Sequence, residues 1–154
     1  MEIDDRQEEF LFLRQAPDII AKEWDLFGEI ISESIPNASH RVMANILKSI
    51  LLEELVVWAF MVKDVGTKYL VSTSLFIDPI TGTRDLLIYS FSGLGEVKQT
   101  DIMIGLRKLM KYAKNNKCTG IVAFVHDVDV KRFLARVGFS TETHFMRFTD
   151  ENDN

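Results

Sequence analysis

The sequence is poor in the residues that usually announce a function. It has one cysteine, Cys118, which excludes a disulfide framework and a cysteine-based metal cluster. Its three histidines, His40, His126 and His144, are far apart, and none stands at a metal-ligand spacing such as His-x-x-x-His. Only three prolines punctuate 154 residues, and no segment is repeated or low in complexity. No apolar run reaches the roughly 18 residues that a membrane-spanning helix needs. The longest, Leu55 to Val62, has the length of a strand. The 18 Lys and Arg are outnumbered by 23 Asp and Glu, and a net charge of −5 lacks the basic face of a nucleic-acid footprint. The acidic start Met1-Glu2-Ile3-Asp4-Asp5 is unlike a secretory signal. These absences lead to the expectation of a cytoplasmic protein that engages neither nucleic acid nor membrane.

What is present is material for a core. Apolar residues make up 47% of the chain, enough for one globular domain. That domain is expected over residues 17–148. Residues 1–16 form an N-terminal segment with a candidate short strand at Phe10 to Leu13, and residues 149–154 an acidic, disordered tail.

Periodicity orders the elements. Asp18 after Pro17 suits a helix N-cap, and Ile20, Trp24, Phe27 and Ile31 recur at helical steps. Pro36-Asn37 ends that helix. Ser39 can cap a second, with Val42, Ile46, Leu47 and Ile50 on its apolar face and Glu53-Glu54 at its close. Three strands follow, Leu55 to Lys63, Tyr69 to Ile77 and Asp85 to Phe91, separated by the turns Asp64-Val65-Gly66-Thr67 and Asp78-Pro79-Ile80-Thr81-Gly82. They predict an antiparallel meander. After the loop Ser92-Gly93-Leu94-Gly95, Thr100 caps a helix carrying Ile102, Leu106, Leu109 and Ala113. Gly120 to His126 reads as a strand buried on both faces, Val128 to Val137 as a short helix and Phe139 to Phe148 as a last strand. The fold class is α/β, with a mixed sheet of about six strands flanked by about four helices. The strand–helix–parallel strand step makes a right-handed crossover.

The segment from Asp127 to Phe139 is the most specific local match. Asp127, Val130, Phe133, Leu134, Gly138 and Phe139 fall on a pattern, Asn-x-x-Ala-x-x-Phe-Tyr-x-x-x-Gly-Phe, common at one short helix of the GNAT superfamily. Together with the element order, the chain resembles that superfamily of acetyl-CoA-dependent N-acyltransferases from about residue 17 to residue 148. The matched positions pack a helix, and Gly138 is where a helix can end with positive φ. The resemblance implies acetyl-CoA as cofactor and an amine, on a small molecule or a protein, as acyl acceptor.

The resemblance also locates site residues. The third meander strand, Ile88 to Ser92, would offer its exposed backbone to the pantetheine arm, with Ser90, Ser92 and Gly93 bordering the cleft. Gly93 and Gly95, then Lys98, Gln99 and Thr100, would lie along the phosphates at the start of the crossover helix. The family's loop there, Gln/Arg-x-x-Gly-x-Gly/Ala, corresponds to Val97 to Ile102, which has no glycine. Glu96 and Asp101 would repel phosphates, with Lys98 and Arg107 offsetting them; Asp101 also suits the positive end of a helix dipole. The family's proton-donating tyrosine falls on Leu134, which cannot donate.

Tyr89 is then the substitute acid, and His126, beside Asp127 and Asp129, the candidate base; the same three residues also suit a helix cap. Glu53-Glu54 could receive an amine or simply close a helix. Two functions follow. One is an N-acetyltransferase. The other is a catalytically silent GNAT-like binding or structural module, of the kind that small acidic phage-encoded or virion-associated proteins resemble. The exposed last strand offers an edge for a homodimer.

Overall fold

The computed structural model describes residues 9–125 and 128–141. A five-stranded sheet runs in the order β1-β2-β3-β4-β5. Its strands are β1 (Phe10–Arg14), β2 (Val56–Val62), β3 (Gly66–Ile77), β4 (Arg84–Gly93) and β5 (Gly120–Ala123). The first four are antiparallel neighbours, and β5 joins β4 in parallel. The meander is as expected from sequence, and β1 adds to its edge through Phe10↔Val62 to Arg14↔Trp58.

Helices cover both faces. α1 (Pro17–Lys22), α2 (Trp24–Ser32) and α3 (His40–Leu51) lie on one, where Ile20, Ile31, Ile46 and Ile50 pack on Val57, Ala59 and Leu70. α4 (Gln99–Asn115) lies on the other, where Leu109 and Ala113 meet Phe12, Trp58, Phe60, Tyr69 and Leu86. The α4 face is aromatic: Phe60 stacks on Tyr69 with centroids 4.9 Å apart, and Trp58 meets Tyr112 edge-on at 5.0 Å. The Trp58 indole N–H is buried but donates to Thr73 Oγ1 at 2.9 Å.

Several boundaries differ from the sequence reading. The first helix is two, broken at Glu23 (φ −108°, ψ 33°). Pro17 opens α1 and Ala16 stands at its N-cap, with Asp18 inside the first turn. Both pieces lay one apolar stripe on the sheet, so the periodicity runs across the break and hides it. Ser39 does cap α3, its Oγ accepting from Val42 N–H at 3.2 Å. β5 is four residues, each half-buried, instead of a strand buried on both faces, because it has a neighbour on one side only among the described residues.

Residues 9–124 belong to one compact unit. The described part of the second unit holds α5 (Val128–Arg136). α5 ends as the sequence suggests: Phe139 N–H donates to Leu134 C=O at 2.9 Å, and Gly138 has φ +110°. Phe139 to Thr141 are not in a strand. The rest of the expected sixth strand, His144 with it, lies outside the described residues. Among the described residues, no helix is long and apolar enough to cross a membrane.

Candidate functional site: the open edge of β4

β4 changes character at Tyr89. From Asp85 to Ile88 it is paired on both edges, to β3 and to β5, ending at Ile88↔Ala123. β5 stops there, and among the described residues β4 continues to Gly93 beside β3 alone. The ladder slips at the same point: Ser72 faces Ser90 while Thr73 faces Ile88, which leaves Tyr89 as the extra residue of a β-bulge. A bulge bends its strand and increases its twist, and so carries β4 off the line of β5.

Antiparallel alternation places the backbone groups of this free stretch. Leu94 N–H donates to Lys68 C=O at 2.7 Å, so Ser92 and Ser90 also pair toward β3. Phe91 and Gly93 therefore turn their N–H and C=O toward the open edge. An extended ligand can add to a sheet at such an edge.

The bulge also reassigns side chains. Ile88 and Phe91 pack with the cluster under α4. Ser90 and Ser92 lie opposite Ser72 and Leu70, on the face covered by α1–α3. The Ser90 hydroxyl bonds that of Ser72; Ser92 Oγ donates to Ser34 Oγ at 2.9 Å, which donates to Ile31 C=O at 3.0 Å. At 7% and 4% exposure, Ser90 and Ser92 have their hydroxyls engaged behind the edge. Tyr89, on the bulge, is 42% exposed.

Past Gly93 the chain turns directly into α4. Gly95 takes φ +83°, in the left-handed region that favours glycine. Gly93 and Gly95, with Lys98, Gln99 and Thr100, are all exposed. The N-terminus of α4 is capped by Asp101 and not by Thr100. Lys98 N–H donates to Asp101 Oδ2 at 3.1 Å, because a carboxylate three residues into a helix reaches back to the cap. Lys68 Nζ reaches the same oxygen at 3.4 Å. Asp101 is thus buried and paired, and does not stand free against an incoming anion. The N–H groups of Gln99 and Thr100 have no partner among the described residues, as is usual in a first turn.

Below this turn sits a close contact with little trace in the sequence. Tyr69 O–H donates to Asp101 C=O at 2.9 Å, and a Cβ at Gly105 would strike the Tyr69 hydroxyl. Burial, and then the nearby Asp101 charge, raise the Tyr69 pKa and keep it neutral. A glycine within a helical pattern was the one available signal. Lys68, Ser34 and Ser72 had none, because their roles depend on cross-strand and helix–sheet neighbours.

Other candidates lie elsewhere. His126 and Asp127 lie outside the described residues. Glu53 is exposed and faces Arg14 at 3.5 Å, at the close of α3. At the other end of β4, Thr81, Arg84, Asn116 and Lys117 line a groove of about 660 Å³, where Arg84 donates to Asn116 C=O at 3.2 Å. No group of three His, Cys, Asp or Glu that could hold a metal occurs among the described residues.

No protein-family model matches the chain, and no curated protein matches it in sequence. Solved structures do match its fold. An aminoglycoside N-acetyltransferase in complex with CoA superposes with a TM-score of 0.71 at 11% identity, covering 92% of this chain and 95% of that one. An aminoglycoside 6′-N-acetyltransferase from Acinetobacter baumannii gives 0.68 at 13%, covering 92% and 98%. An acetyltransferase from Trypanosoma brucei gives 0.63 at 14%, covering 92% and 99%. The chain has the GNAT fold. In GNAT terms, β4 with its bulge and open edge is the strand beside which the resemblance placed the pantetheine arm.

Proposed function

We propose that the protein is an acyl-CoA-dependent N-acyltransferase that moves an acetyl group from acetyl-CoA to an amine, on a small molecule or a protein. The observation that carries this reading is the open edge of β4 from Tyr89 to Gly93, continuous with the exposed first turn of α4. Phe91 and Gly93 supply the amide groups an extended pantetheine arm needs. The unpartnered N–H groups of Gln99 and Thr100, with Lys98 beside them, supply donors for phosphate oxygens. Asp101 does not oppose this, since Lys68 and the Lys98 N–H hold it. The residues present fit the cofactor, whose thioester brings an activated acyl group.

The protein then has three tasks: to align the amine with the thioester carbonyl, to place an edge N–H by its oxygen, and to return a proton to the departing thiolate. Tyr89 is the proton donor in this reading. Its hydroxyl is exposed on the bulge and has no competing partner among the described residues. The cofactor, when bound, would supply an acyl carbon activated toward an amine; Tyr89 would hold the proton that the leaving sulfur needs, and the amine's surplus proton would pass to solvent.

Thermal unfolding with acetyl-CoA tests the reading. Ligand at 100 times Kd adds about 2.7 kcal/mol, so Tm should rise by several degrees. No shift at millimolar acetyl-CoA would sink it. That outcome would favour the silent-module reading, which Leu134 at the family's tyrosine position supports.

A further inference from the structure

β3 outruns β2. Its last partner on β2 is Val56, opposite Thr73, yet it continues to Ile77, held from the other side by β4. Among the described residues, Ser74 to Ile77 are thus a bare edge. Alternation fixes their amides. Asp78 N–H donates to Thr83 C=O at 2.9 Å, so residues 74, 76 and 78 pair toward β4, while Leu75 and Ile77 point N–H and C=O outward.

Natural edges are blunted by charge, by proline, by a bulge or by a cover. The stretch Ser74-Leu75-Phe76-Ile77 has no charge and no proline. Leu75, Phe76 and Ile77 are 42%, 46% and 53% exposed, and Ile80 in the following turn is 93% exposed.

We infer that this edge pairs with the same edge of a second copy of the chain, as an antiparallel ladder with its two-fold axis at Phe76. The register follows from the amides. With the axis at Phe76, Leu75 of one copy faces Ile77 of the other, outward amide meets outward amide, and each such pair exchanges both hydrogen bonds. Leu75 and Ile77 then pack together on one face of the joined sheet. The two Phe76 rings meet on the other, at a non-hydrogen-bonded position where Cβ atoms lie about 4.5–5.5 Å apart.

Moving the axis to Leu75 fails, because Ile77 would face Thr73, whose amide already pairs with Val56. Asp78 faces Ser74 across the junction, so no like charges oppose. The Asp78–Gly82 turn carries the chain toward β4, away from the edge, so the second copy's strand ends before it meets Val56. The contact is isologous and closes on itself as a dimer. A ladder of so few residues is a weak contact, so it depends on concentration.

Sedimentation velocity from about 5 to 500 μM should show a monomer–dimer equilibrium in this range of weak interfaces. Phe76→Lys should abolish it while leaving the circular dichroism unchanged. In a Cys118→Ser background, mild oxidation should convert Phe76→Cys to a disulfide-linked dimer at least tenfold faster than Val65→Cys, an exposed turn position remote from the edge. A monomer at all concentrations, or a dimer that Phe76→Lys leaves intact, would overturn the inference. So would equal cross-linking at residues 76 and 65. None of these readouts depends on acetyl-CoA.

Discussion

The two halves of β4 carry the same strand through two different environments. From Arg84 to Ile88 it is a structural strand, paired on both sides along residues 85–88, with Leu86 at 1% exposure under α4. From Tyr89 to Gly93 it has, among the described residues, one neighbour, a bulge, two serines turned to the opposite helices, and amides on an unpaired edge. The difference comes from two local events at one place, the end of β5 at Ala123 and the extra residue Tyr89. A strand supports the fold where its edges are filled and can receive a ligand where one is empty.

Substitutions in each half test this contrast. Leu86→Ala, in the sealed half, should have the largest effect, costing about 2–5 kcal/mol by transfer and cavity formation; urea unfolding would read it as a lower midpoint at unchanged slope. Gly105→Ala should cost about 1–3 kcal/mol, since its Cβ meets the Tyr69 hydroxyl that steadies the turn beside the open half. Gly105→Ala and Tyr69→Phe together should recover part of that loss in the same assay.

Ser92→Ala, in the open half, removes the donor to Ser34 and should cost about 1 kcal/mol, a Tm drop of a few degrees by calorimetry. Tyr89→Phe should change stability by less than about 0.5 kcal/mol. It should also lower the turnover of acetyl transfer while leaving acetyl-CoA binding unchanged. A stability loss as large as that of Leu86→Ala would show the bulge to be part of the core and not a site.

One pH effect belongs to the contact beneath α4. The folded-state pKa of Tyr69 is raised, so its contribution to stability is complete below about pH 10, where an exposed tyrosine ionises, and is lost as pH rises beyond it. Tyr69→Phe should flatten the fall in denaturation midpoint on the alkaline side.

Most of the fold was legible because each element carries its own pattern. The meander showed in apolar strands between Asp- and Gly-bearing turns, α3 in Ser39 and its stripe, α5 in Gly138. The site was legible only in part. Gly93, Gly95 and Lys98 to Thr100 are exposed, whereas Ser90 and Ser92 are buried. Which way Ser90 and Ser92 face was not legible, because a bulge shifts the two-residue alternation and leaves no mark in composition. Nor was the Asp101 cap, because Thr100 is as good a capping residue by type and only the helix start decides between them.

Apolar periodicity was enough to order the described elements and to pick out most of the core, since it is a local property that burial enforces. Tertiary structure decided where β4 loses its neighbour, which hydroxyls turn inward, and which carboxylate is neutralised by a lysine from another strand. Those depend on register and on pairing between distant segments, and a slip of one residue exchanges the two faces of a strand.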